Sequence, residues 1–214
     1  MFHEVPGWKV SVLSERVGQE GKVVAVDLDG ERLKIARERY SASNIEYIEA
    51  DDKTFPPGQY DVVFANYVLH WIHDKVALFR YVYTNLRSGG CFAFTTPDGA
   101  PPFPPIGVKL FALVGPDFLN NLLTKTAAPL SASDYKTLAE ATGFIQTPGI
   151  RSDDTFPEYK NFDEFFDSMF GGLQGEFDPT QVDKHELQKL KEEHGDGPVV
   201  YLEPERLLTV ILTK

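Results

Sequence analysis

The chain has 214 residues, enough for one domain with a full core, and its 42% hydrophobic and 25% charged residues exclude a disordered chain. A net charge of −11 argues against nucleic acid and against an anionic membrane surface as partners, because both need clustered Lys and Arg. The single cysteine, Cys91, excludes an internal disulfide and a multi-cysteine metal site. No apolar run approaches the ~18 residues of a membrane span, and the start "MFHEVPGWKV" lacks the apolar stretch of a signal peptide. The default expectation is a cytoplasmic protein.

In chain order, "KVSVLSERV" (9–17) sets Val10, Leu13 and Val17 at helical spacing, with Gly18 placed to end the helix. "KVVAVDL" is a short run, apolar on both faces, as in a covered parallel strand. Asp29 is placed to cap the next helix, whose expected buried face is Leu33, Ala36 and Tyr40. "NIEYIEA" reads as a strand ending before Asp51, and "YDVVFAN" as a further, doubly buried strand. "DKVALFRYVYTNL" predicts a helix with Val76, Phe79, Tyr83 and Leu86 on one face, broken by "SGG" before the strand "CFAFTTP". This alternation from 9 to 97 predicts an α/β fold: a Rossmann-like three-layer sandwich with a mostly parallel sheet.

Beyond Pro97, "PDGAPPFPPIG" is a loop, and 106–128 is helical in part. "SASDYKTLAEATGF" is a capped helix with a glycine stop, followed by the strand "FIQTPGIRS". "NFDEFFDSMF" and "DPTQVDKHELQKLKEEH" are helical, and "ERLLTVILTK" is a last strand. The expected organisation is one domain, 1–214. Its core is 6–98, 131–152 and 204–214, with helical cap insertions at 99–130 and 153–203.

Ligands of open α/β sheets sit at the carboxyl ends of the strands, so the residues just after each strand matter most. Asp27 is suited to a ribose diol, with Leu28 against an adenine face. In "ADDKTFP" a carboxylate of Asp51 or Asp52 could accept from an adenine amino group, though a polar turn explains the stretch equally well. Asn66 and Tyr67 line the cleft, and His70 and Trp71 follow, where a packed, hydrogen-bonded histidine is the more common case and a substrate contact the functional one. "HWIH" is the one histidine pair with metal-like spacing, and Asp74 alone beside it makes a poor metal set. "HGDGP" precedes a proline and opens no helix, so it reads as a turn. No G-x-S-x-G, H-E-x-x-H or G-K-[ST] motif is present, and no catalytic dyad stands out.

Together "GKVVAVDLDGERLKIAR", "NIEYIEADDKTFP", "YDVVFANYVLHWIHD" and "NLRSGGCFAFTTP" resemble the class I S-adenosylmethionine-dependent methyltransferases. The likeness is to the small-molecule branch that includes trans-aconitate and juvenile hormone acid methyltransferases. It implies S-adenosyl-L-methionine as cofactor, Asp27 on the ribose, Asp51 on the adenine, and "LHW" at the border of the methyl and substrate cleft. It also implies an antiparallel C-terminal hairpin ending in "LLTVILTK". "PGWKVSVL" aligns with the end of the family's glycine-rich motif, which makes Gly7 its last glycine. The strand and glycines expected before Gly7 have no counterpart, since His3 and Glu4 suit a buried strand poorly. Truncation is the expectation that follows, with weak or absent cofactor affinity.

The activity implied is methyl transfer to a small, apolar carboxylic acid or alcohol enclosed by Trp71, Phe103, Phe111 and "FDEFFDSMF". Two other readings share features of this sequence: a non-catalytic methyltransferase-like protein, and an NAD-dependent oxidoreductase in which Asp27 holds the ribose.

Overall fold

The computed structural model describes residues 7–100, 103–171, 173, 178–195, 197–200 and 205–214. The opening "MFHEVP", with His3 and Glu4, lies outside them, as does Asp196 of "HGDGP". The chain forms two compact units, Met1–Pro57 with Phe170–Gln174, and Gly58–Met169 with Gly175–Lys214.

The first unit contains helix α1 (Trp8–Val17), strand β1 (Val23–Asp27), helix α2 (Gly30–Arg39) and strand β2 (Ile45–Glu49). β1 and β2 pair in parallel, from Val23 opposite Ile45 to Asp27 opposite Glu49. Asp29 caps α2 as expected, its side chain accepting from the N–H groups of Glu31 and Arg32. Asn44 ties α1 down. Its amide donates to the carbonyls of Ser14 and Gly18, at 3.2 and 2.9 Å, while the Ser14 hydroxyl donates back to Asn44 Oδ1 at 2.6 Å. The apolar stripe expected on α1 is not what anchors it: Val17 is exposed, and Ser14 is the helix's buried residue. On α2, Leu33 and Ala36 are buried and Tyr40 is half-buried.

In the second unit β3 (Tyr60–Asn66) leads through a 3-10 turn (Leu69–Trp71) into α3 (Lys75–Asn85) and β4 (Leu86–Pro97). There follow α4 (Pro105–Ala112), α5 (Pro116–Lys125), α6 (Ala132–Thr142), β5 (Ile145–Thr155) and β6 (Glu158–Tyr159). Helices α7 (Phe162–Gly171) and α8 (Lys184–His194), then β7 (Val199–Val200) and β8 (Glu205–Thr213), complete the chain. The sheet order is β3-β4-β8-β5, parallel between β3 and β4 and antiparallel on both sides of β8. The expected α/β class and the antiparallel end are therefore present, in a mixed sheet.

The core of this unit is aromatic. Phe79 of α3 meets Phe92 and Phe94 of β4, Tyr135 of α6 and Phe144, with ring centroids 5.3 to 6.3 Å apart. Each such ring contributes about 1.5–3 kcal/mol by burial alone. Three expectations are corrected here. The buried face of α3 is Leu78, Phe79 and Val82, with Val76 exposed, because that face packs Phe79 against Phe92, Phe94, Tyr135 and Phe144. "SGG" does not break the helix: it lies inside β4, which starts at Leu86, with Gly89 at φ +76°. β3 is not doubly buried, since it is an edge strand of its sheet with Val62 and Phe64 exposed. By contrast α6 follows its sequence closely, with a Ser131–Asp134 capping box and Gly143 at φ +94°.

Candidate functional site

Gly7, Asp27, Leu28, Asp51 and Asp52 all belong to the first unit. Asp27 closes β1, and the Ala50 N–H donates to its carbonyl at 3.1 Å, which sets the ends of β1 and β2 side by side. Its Oδ1 accepts from the Asp29 N–H at 3.0 Å, and Oδ2 lies 3.8 Å from Arg32 Nε. The carboxylate is 37% exposed, so it can still accept from an incoming diol. Leu28 beside it is 70% exposed, an apolar surface with room for a flat ring.

Asp51 serves a local turn. Its Oδ1 accepts from the Lys53 N–H at 2.9 Å and the Thr54 hydroxyl at 2.6 Å, and these bonds, the hydroxyl's first, hold its pKa below the usual carboxylate range. Asp52 differs: its Oδ2 is buried and has no hydrogen-bond partner among the described residues. A buried, unpaired carboxylate oxygen is costly, and a ligand amino group would satisfy it. Gly7 caps α1 at φ +94°, where a Cβ would lie 2.7 Å from the Ala36 Cβ. Only glycine allows α1 and α2 to approach this closely.

The other candidates, Asn66, Tyr67, His70 and Trp71, belong to the second unit. Asn66 ends β3 and accepts from the Thr95 hydroxyl at 2.7 Å. Tyr67 is in the left-handed region at φ +52°, a sparsely populated conformation for a bulky residue. Its hydroxyl donates to Glu205 Oε1 at 2.9 Å. A row of rings follows: Tyr67 to His70 at 6.1 Å, His70 to Trp71 at 5.0 Å, Trp71 to Phe103 at 6.0 Å, and Phe103 to Phe111 at 5.0 Å.

Burial, with a smaller push from Lys75, lowers the His70 pKa to about 4, so the ring is neutral at pH 7 and a feeble base. Its Nδ1 is buried with no hydrogen-bond partner among the described residues. Lys75 is itself buried and donates to the carbonyls of Ile72 and Ala128, at 2.9 and 3.5 Å. With the Ala127 N–H on the His70 carbonyl at 2.7 Å, and His73 Nε2 3.1 Å from the Lys125 carbonyl, segment 125–128 is stitched to loop 70–75. Sequence reasoning passed over Lys75 and Glu205. A lysine at the first turn of a helix reads as solvated, and Glu205 lies 138 residues from its partner Tyr67. No group of three metal-ligating side chains occurs among the described residues.

Comparison with known proteins agrees with these motifs. Residues 6–94 match the family described as the methyltransferase domain. It resembles the trans-aconitate 2-methyltransferase of Azoarcus sp. (strain BH72), 34% identical over 93 residues, 43% of this chain and 36% of that protein. A malonyl-[acyl-carrier protein] O-methyltransferase of Ilyobacter polytropus is 32% identical over 77 residues, 35% of this chain and 29% of that protein. The matched stretch thus spans about a third of these relatives' length.

The fold is also that of solved methyltransferases. An S-adenosylmethionine-dependent methyltransferase of Mesorhizobium loti has a TM-score of 0.50 at 19% identity, over 91% of this chain and 81% of that one. An N-methyltransferase of Haemonchus contortus, in complex with phosphomonomethylethanolamine and S-adenosylhomocysteine, scores 0.52 at 18% identity, over 91% and 44%. No helix among the described residues is long and apolar enough to cross a membrane.

Proposed function

We propose that the protein transfers a methyl group from S-adenosyl-L-methionine to a small, apolar carboxylic acid or alcohol. The observation that carries this reading is Asp27. It stands at the carboxyl end of β1, inside the matched stretch 6–94, with an exposed carboxylate and the apolar Leu28 beside it. The donor set fits an adenosine. Asp27 accepts from the ribose hydroxyls, Leu28 covers the base, and the unpaired Oδ2 of Asp52 takes the adenine amino group, with Asp51 shaping the turn. Gly7 completes the contacts of this unit with the cofactor; within the second unit Asn66 is the candidate for the cofactor and Tyr67, His70 and Trp71 for the acceptor.

The bound cofactor supplies an already activated methyl sulfonium. The residues therefore bind, orient and exclude water more than they move protons, and positioning supplies most of the rate. That division of labour matches a neutral His70 and a row of rings. Calorimetric titration with S-adenosylhomocysteine tests the reading, together with methyl transfer to a panel of small acids and alcohols. Saturable binding that Asp27→Asn weakens about tenfold supports it, a charged hydrogen bond being worth roughly 1.5–3 kcal/mol. Absence of both binding and transfer sinks it.

A further inference from the structure

We propose that Glu205, held by Tyr67, selects the methyl acceptor. The pair admits a group that can donate a hydrogen bond, an alcohol or an amine, and turns away a carboxylate. This rests on the methyl-transfer reading and revises its acceptor class, dropping the carboxylic acid and adding the amine.

Placement comes first. Asn66 pairs with Thr95, Thr95 with Thr209, and Pro97 with Leu207. Glu205 thus stands two residues further along antiparallel β8, at the edge where β3 and β4 end. In open α/β sheets that edge is where ligands bind. Glu205 is fixed there: it pairs with Thr155 of β5, whose hydroxyl donates to its carbonyl at 3.0 Å. Tyr67 is fixed as well, its left-handed backbone held by an N–H bond to the Thr95 carbonyl at 3.0 Å. A strained residue locked on both sides at a strand end is a recurring mark of a functional position.

Chemistry sets the preference. The hydroxyl hydrogen of Tyr67 is committed to Glu205 Oε1. Among the described residues the other carboxylate oxygen makes no hydrogen bond. The pair therefore offers acceptors and a negative charge. Burial raises the Glu205 pKa, against the opposing Tyr67 bond, which makes it a better proton acceptor than a solvated glutamate. The neighbouring Arg206 faces Asp98 and Asp154, at 3.4 and 3.8 Å. Lys75, a further cation near the ring row, is held by two carbonyls beside a cavity of about 10 Å³, room for one water and not for a carboxylate. A carboxylate beside Glu205 would meet like charge, whereas an alcohol or ammonium donates a hydrogen bond to it.

The test uses the full chain without cofactor, so that its outcome is separate from S-adenosylhomocysteine binding, on which the methyl-transfer reading stands or falls. Phenethyl alcohol, phenethylamine and phenylacetate are titrated calorimetrically at pH 7.5. We expect the alcohol and the amine to bind at least about tenfold more tightly than phenylacetate, and Glu205→Gln to bring phenylacetate within about twofold of the alcohol. Tyr67→Phe should not weaken phenylacetate by as much as about tenfold, because the hydroxyl's proton is already given to Glu205. The proposal is overturned if no probe binds, if phenylacetate binds as well as the alcohol, or if folded Glu205→Gln keeps the original ratio. It is equally overturned if Tyr67→Phe costs phenylacetate about tenfold, which would make the hydroxyl a donor to acids.

Discussion

The two units place their candidate residues by different means. In the first, Asp27 and Asp51 stand on turns just after β1 and β2, half-buried and held by backbone N–H groups within a few residues, with Asp52 beside them. In the second, Tyr67, His70 and Trp71 are held by rings and by partners as far away as Glu205. Short-range capping needs little core, so the first unit sets its acids with a five-residue strand pair and an asparagine clamp. The second unit also carries the packed Phe79 cluster. The difference suits two kinds of ligand, one grasped by polar contacts and one enclosed by apolar surface.

The largest way to break the comparison is Phe79→Ala. It removes a fully buried ring from the second unit and should cost about 3–5 kcal/mol in chemical denaturation. Hydrogen exchange would rise in β4 and β8, while capping contacts in the first unit would persist. Next is Asp27→Asn, expected to weaken S-adenosylhomocysteine by about 1.5–3 kcal/mol with little change in melting temperature, since its effect falls on the ligand.

His70 gives a pH signature. Its folded pKa is about 4, below the ordinary 6.5, so the unfolded chain binds the proton more readily. The neutral ring's contribution is full above pH 6.5 and is lost as pH falls toward 4, by about 1–2 kcal/mol once partial exposure is discounted. Melting curves between pH 7 and 4 should show the loss, and His70→Gln should flatten it. The smallest effect is Ser131→Ala, which removes the α6 cap and should cost about 1 kcal/mol in the same melts.

Features fixed by neighbours in the chain were legible in the sequence. Asp29 at its cap, the Ser131–Asp134 box and the Gly143 stop depend on spacings of a few residues, as does Asp27 at a strand end. The family resemblance was legible because its four motifs are local too. Tertiary facts were not. Which face of α3 is buried depends on what packs against it, and the sequence places Val76 and Phe79 on one stripe, while the fold buries Leu78 and Phe79. The exposure of Val62 and Phe64 depends on the place of β3 in its sheet. Tyr67's bond to Glu205 joins residues too far apart for any local pattern to announce.

Lys75 has a practical use. Its amine is 7% exposed and engaged by two carbonyls, so acylating reagents should reach it late, after the lysines on the surface. Its modification requires loop 70–75 to part from segment 125–128. In a timed labelling experiment read by mass spectrometry, the tag on Lys75 becomes a clock for that parting, and a bound acceptor resting on His70 and Trp71 should slow it.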